Sequence, residues 1–147
     1  MVCSNYDYPI IRIDTNQGVY GIGEVRVRRR LRVAFFSTGD ELASIGIVIG
    51  ASWNGARAFT ATSGPGISLM NEFIGLAYYS EQPAVIFDVQ RGGPSTGMPT
   101  RTQQCDVIEA AYAGHGDTKH ICLYPGSVQE CYELMIDAFN LAEQFQT

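Results

Sequence analysis

The sequence predicts an α/β fold of three layers, a mainly parallel sheet with helices on both faces, preceded by an N-terminal β-hairpin. Three observations carry this. Short β-branched and aromatic runs at 31–36, 58–62, 84–89 and 119–124 alternate with helix-length stretches, the pattern of βαβ units. Between the second and third runs, residues 66–79 suit a helix crossing back over a sheet. Both flanking strands end in loops of unusual composition, Ser63-Gly64-Pro65-Gly66 and residues 91–100, at the carboxyl ends where ligands settle in open parallel sheets.

At 147 residues the chain has the length of one domain with a real core, burying roughly two-thirds of its unfolded surface. Charged residues at 17% and hydrophobic ones at 46% are globular proportions, and no apolar run has the length of a membrane span or the plan of a signal peptide. A cytoplasmic protein with no membrane partner is expected. Cys3, Cys105, Cys122 and Cys131 show no metal-ligand spacing, so no metal site is expected and the thiols should be buried and free. Residues 1–32 carry a net charge of +3 and the remainder −8. The run Arg26-Val27-Arg28-Arg29-Arg30-Leu31-Arg32 reads as a solvated strand or linker, and nucleic-acid binding is not expected.

Taken in order, residues 8–25 alternate around Asn16-Gln17-Gly18 and read as a hairpin. Residues 1–30 are expected to form this hairpin and a basic linker, and residues 31–147 the α/β domain. Thr38 and Glu41 make a T-x-x-E capping box for a helix reaching Trp53. That helix is apolar nearly all round, so it lies either under other elements or against a second chain. The βαβ unit follows, then a short helix from 102 or 103 to 113, a break at His115-Gly116-Asp117 and a strand at 119–124. Ser127 and Glu130 form a second capping box, opening a helix over 128–144. Its apolar positions Cys131, Leu134, Met135, Ala138 and Phe139 recur at three and four, placing one stripe on the sheet.

Three resemblances overlie this reading. The phrase RIDTNQGVYGIGEV resembles the N-terminal hairpin of the mandelate racemase branch of the enolase superfamily, and VAFFSTGDEL resembles a phrase of molybdopterin molybdenumtransferases. From Asp40 onward the chain is similar to the pyrimidine-binding domain of the alpha subunit of thiamine-diphosphate-dependent 2-oxoacid:ferredoxin oxidoreductases. The carriers are ATSGPGISLM, QRGGPSTGMPT, the HGD at His115 and SVQECYELMIDAFNLAEQF, and the resemblance as a whole covers about 105 of 147 residues. Residues 1–39 depart from that family's pattern, as in a chimera.

The third resemblance implies a cofactor, thiamine diphosphate, shared with a beta subunit that holds the diphosphate, magnesium and iron–sulfur clusters. It also implies ferredoxin, a 2-oxoacid and coenzyme A as partners, while the isolated chain is expected to self-associate through Ile45, Ile49 and Trp53. Glu41 aligns with the family glutamate that pairs with the aminopyrimidine ring nitrogen and so acts in catalysis and cofactor binding; read locally, it is the helix cap. Arg91 aligns with the arginine that holds the substrate carboxylate in a forked pair, and Thr100 with a threonine contacting the same substrate. Read locally, Arg91 is a solvated loop arginine. Ser63 and Gly64 offer N–H groups at a helix start, either to the cofactor or simply as a strand-to-helix turn. The competing reading of the whole chain is a non-catalytic chimeric or engineered α/β domain.

Overall fold

The computed structural model describes residues 40–147 throughout and, before them, the backbone of four strands: β1 (Val2–Cys3), β2 (Pro9–Asp14), β3 (Tyr20–Glu24) and β4 (Val33–Phe36). The expected hairpin is there: β2 and β3 pair antiparallel from Ile10↔Glu24 to Asp14↔Tyr20, and β1 adds a third strand through Val2↔Ile10. The Asn16-Gln17-Gly18 turn and the arginine run fall outside the described residues, as does Thr38.

The second sheet is parallel, ordered β4, β5 (Arg57–Thr62), β6 (Val85–Asp88). Phe35 pairs with Phe59, and Phe59 with Val85. Strands added in one direction through right-handed crossovers place successive connecting helices on one face. Accordingly α1 (Glu41–Trp53) and α2 (Gly64–Tyr79) pack side by side, enclosing Ile45, Val48, Ile49, Ala58, Ile67 and Met70. The pleat sends alternate β5 residues to the other face, where Phe59 meets Phe87 at 5.2 Å and Phe139 at 6.0 Å between ring centroids, both edge-to-face. Phe139 belongs to α4 (Val128–Phe145), the layer covering that side. Arg57 fastens it, donating from Nε at 2.7 Å and Nη2 at 2.6 Å to the Glu143 carboxylate and from Nη2 to Asn140 at 3.1 Å.

Several expectations are corrected. The N-cap of α1 is Asp40, whose carboxylate accepts from Ala43 N at 3.1 Å, so the helix opens two residues later than a Thr38–Glu41 box requires. Ile45 and Ile49 are packed inside and cannot form a contact with a second chain, whereas Trp53 is 65% exposed. The strand expected at 119–124 is not formed, leaving the second sheet with three strands among the described residues. Its backbone turns instead to α3 (Val107–Tyr112): His120 N donates to Ala111 O at 3.1 Å, and the His120 ring donates to Ala113 O at 2.7 Å and stands edge-on to Tyr78. α3 itself is shorter than expected, because 102–106 run as irregular chain. The Ser127 cap is present, with Ser127 Oγ accepting from Glu130 N at 3.2 Å, but the Glu130 carboxylate reaches Gly126 N, one residue beyond a closed box. On α4 the stripe is buried only at its C-terminal half; Cys131 is exposed, as is Cys105, so those two thiols are free but not buried.

Candidate functional site

The carboxyl ends of β4, β5 and β6 lead into the three segments that carry the expected site residues. Glu41 is the first residue of α1, and its side chain lies against the first turn of α2: a Cβ built on Gly66 would fall 2.9 Å from Glu41 Cγ and collide with Thr62 Oγ1. Only glycine permits this approach, which brings the starts of the two helices together. With Asp40 serving as cap, the Glu41 carboxylate is released from that duty and has no hydrogen-bond partner among the described residues.

Ser63 precedes α2 and is its N-cap by position, yet its hydroxyl does not cap the helix. Instead Ser63 Oγ accepts from Arg91 Nε at 2.9 Å. Arg91 Nη1 donates to Thr96 O, inside the glycine-rich loop. That loop closes on itself, with Gly92 N donating to Arg101 O at 2.7 Å and Met98 N to Gly92 O at 3.0 Å. Thr100 therefore stands beside the neck of the loop whose other side is Arg91, and it is exposed. The structure joins Ser63 and Arg91 directly and links Glu41 to them through Gly66, whose N–H donates to Ser63 O at 2.8 Å. Thr100 is joined to them only through the loop.

Sequence reasoning missed a carboxylate pair next to this group. Gly64 is buried because the Asp106 side chain fills the space where its Cβ would be, so a carboxylate of the chain itself sits at the start of α2. Asp106 N donates to Gln90 Oε1 at 3.3 Å, and Cys105 Sγ donates to Arg91 O at 3.2 Å, tying 105–106 to the segment after β6. Asp88, the last residue of β6, has its carboxyl pushed up from 3.8 to about 6, first by burial and then by the charges of Asp106 and Glu109. The signal available was a lone aspartate closing the apolar strand 84–88. Among the described residues, no group of three or more His, Cys, Asp or Glu side chains is placed to hold a metal ion.

A separate apolar cleft of about 830 Å³ lies between β6, α4 and 120–125. Neither Glu41, Ser63, Arg91 nor Thr100 lines it.

Residues 20–147 match the family described as "Pyruvate flavodoxin/ferredoxin oxidoreductase, thiamine diP-bdg". The chain belongs to this thiamine diphosphate-binding family. The match takes in the end of RIDTNQGVYGIGEV and all of VAFFSTGDEL, so the family's pattern extends well ahead of Asp40. Among similar family proteins is the 2-oxoglutarate synthase subunit KorA of Methanocaldococcus jannaschii, 50% identical over 127 residues, which are 85% of this chain and 35% of that protein. The 2-oxoacid:ferredoxin oxidoreductase 2 alpha subunit of Aeropyrum pernix is 52% identical over 118 residues, 80% of this chain and 18% of that one. A solved family member, the 2-oxoglutarate:ferredoxin oxidoreductase from Magnetococcus marinus with 2-oxoglutarate, coenzyme A and succinyl-CoA bound, superposes with a TM-score of 0.72 at 49% identity, covering 76% of this chain and 19% of that chain. The chain thus spans about a third of the first relative's length and under a fifth of the other two. The parallel sheet with its helices is the pyrimidine-domain-like α/β fold expected from the sequence.

Proposed function

We propose that this chain forms the pyrimidine-binding part of an alpha subunit that, with a beta subunit, converts a 2-oxoacid to an acyl-coenzyme A. In that reaction the bond between the keto carbon and the carboxylate breaks, carbon dioxide leaves, the coenzyme A thiol loses its proton as the thioester forms, and an electron pair passes to ferredoxin. The observation that supports it most is the contact line Glu41–Gly66–Ser63–Arg91 along the carboxyl ends of adjacent parallel strands. It sets a free carboxylate and a guanidinium on one rim.

The residues fit thiamine diphosphate. The glycine at 66 lets Glu41 and Thr62 lie directly against the start of α2, and the Glu41 carboxylate, without a hydrogen-bond partner among the described residues, suits a ring nitrogen. When bound, the cofactor supplies the carbon nucleophile and electron sink that decarboxylation of a 2-oxoacid requires. Glu41 holds or releases a proton at its carboxylate, and Arg91 binds the substrate carboxylate, with Thr100 placed at the far side of the loop neck. Ser63 and Gly64 border the cofactor, while the start of α2 is already occupied by Asp106, so the diphosphate and its magnesium belong to the beta subunit, as do the iron–sulfur clusters. Among the described residues no helix is long and apolar enough to cross a membrane, and a cytoplasmic setting is part of the proposal. So is self-association of the chain when the beta subunit is absent.

The test is Glu41→Gln in the assembled alpha and beta subunits. Turnover should fall by about 10²-fold or more while the 2-oxoacid concentration for half-maximal rate changes little. Turnover within twofold of the parent would remove Glu41 from the chemistry. The competing reading, a non-catalytic domain, predicts that neither subunit mixture nor added cofactor gives activity.

A further inference from the structure

The bond between Arg91 Nε and Ser63 Oγ has a consequence for how a ligand can be held. A guanidinium offers a carboxylate two forked edges, one made by Nε with one terminal nitrogen and one made by the two terminal nitrogens. In this chain Nε is engaged by Ser63 at 2.9 Å, and one hydrogen of Nη1 is engaged by Thr96 O. Three N–H groups remain, one on Nη1 and two on Nη2, and Nη2 has no hydrogen-bond partner among the described residues. The Nε edge is closed, and what is left for a ligand is Nη2 with the second hydrogen of Nη1.

Ser63 is suited to the task by its place. As the residue preceding α2 it is anchored at the end of β5 by the helix's own first bonds, Gly66 N to Ser63 O at 2.8 Å and Ile67 N to Ser63 O at 3.1 Å. A hydroxyl in that position normally turns onto the helix to satisfy an orphan N–H, worth about 1 kcal/mol to a helix. This one faces the loop after β6 instead. We propose that Ser63 is a positioning residue: it fixes the Arg91 guanidinium so that its terminal nitrogens, and not its Nε edge, meet the substrate carboxylate. This deepens the substrate reading of Arg91 and rests on it. It is a different task from bordering the cofactor, since it acts through Arg91 and through the hydroxyl rather than the backbone.

The test uses the assembled alpha and beta subunits with thiamine diphosphate, the alpha chain carrying ¹⁵N-labelled arginine, with Ser63→Ala and Ser63→Thr beside the parent. Two quantities are read: the exchange rate and shift of the Arg91 Nε–H resonance, and the dissociation constant for 2-oxoglutarate from the displacement of Arg91 resonances. In S63A the Nε–H should exchange at the rate of a free guanidinium, and 2-oxoglutarate should bind about tenfold more weakly, the loss of one charge-assisted hydrogen bond. S63T restores the hydroxyl and should recover both within about twofold. A parent chain whose Arg91 resonances move with 2-oxoglutarate, beside an S63A chain with unchanged Nε–H exchange or unchanged affinity, overturns the positioning role alone. Arg91 resonances that stay fixed on adding 2-oxoglutarate to the parent overturn the substrate reading of Arg91, and the positioning role with it.

Discussion

Asp88 and Asp106 each keep one buried carboxylate oxygen without a hydrogen-bond partner, Oδ1 on the first and Oδ2 on the second. Burial first, and then the charges of Asp106 and Glu109, push the Asp88 carboxyl up to about 6 from 3.8.

The sign of the effect follows from proton counting. Between about pH 4 and 6 Asp88 binds more protons in the folded protein than in the unfolded chain, so its contribution to stability falls as pH rises through that window and then levels off. Asp88→Asn removes the charge and keeps the shape. It should raise stability at pH 7.5 by about 1 kcal/mol, after allowing for solvent screening of a partly exposed carboxylate, and change nothing below pH 4. Urea denaturation at the two pH values measures this; a variant less stable than the parent at pH 7.5 would mean that the charge at Asp88 is paired.

Glu143 behaves in the opposite sense. The hydrogen bonds from Arg57 hold its carboxyl below the ordinary range, so the ion pair contributes above the unfolded value and is lost as pH falls through the folded one. Glu143→Gln should cost about 0.5–1 kcal/mol at neutral pH, no more, since its side chain is 47% exposed. The difference from the parent should close on acidification. A cost that persists at low pH would place the effect in packing.

Gly66→Ala separates two forces. Helix propensity alone favours alanine by about 1 kcal/mol, while the collision with Thr62 Oγ1 and Glu41 Cγ forces a shift costing about 1–3 kcal/mol. The collision should win, with a net loss of up to about 2 kcal/mol in thermal or urea unfolding and a displaced Glu41. A gain in stability would show that the two helix starts are free to separate.

Trp53 should emit as a water-exposed indole and be quenched fully by acrylamide, because it is 65% exposed at the end of α1. Fluorescence that shifts on dilution would put Trp53 in a contact between copies after all.

Much of this arrangement was legible in the sequence because period and composition report burial. The strands at 58–62 and 84–89, the helix ending at Tyr79 and the position of Arg91 after β6 all follow from local pattern. What failed was decided by long-range partners. Residues 119–124 have strand composition, but His120 finds a carbonyl at Ala113 and a ring at Tyr78, and no alternation rule anticipates that pull. The helix α1 read as apolar on every side, yet its burial depended on α2 lying alongside, which only the strand order settles. At the site, Glu41 and Arg91 were visible as residue types, whereas Asp106 was not. Its role comes from meeting Gly64, some forty positions earlier in the chain.

The placement of Asp106 also fixes where positive potential can be found on this rim. A helix start carries the equivalent of roughly half a positive charge, and it attracts anions indiscriminately when left open. Here an internal counter-ion neutralises that half charge. On the proposed reading of Arg91, attraction for a small anion would then be concentrated on its guanidinium, a directional donor, rather than diffused over a cluster of backbone amides. Phosphate and sulfate, which favour such amide nests, would then lose their advantage over planar carboxylates, and selectivity would come from removing an attraction instead of adding one.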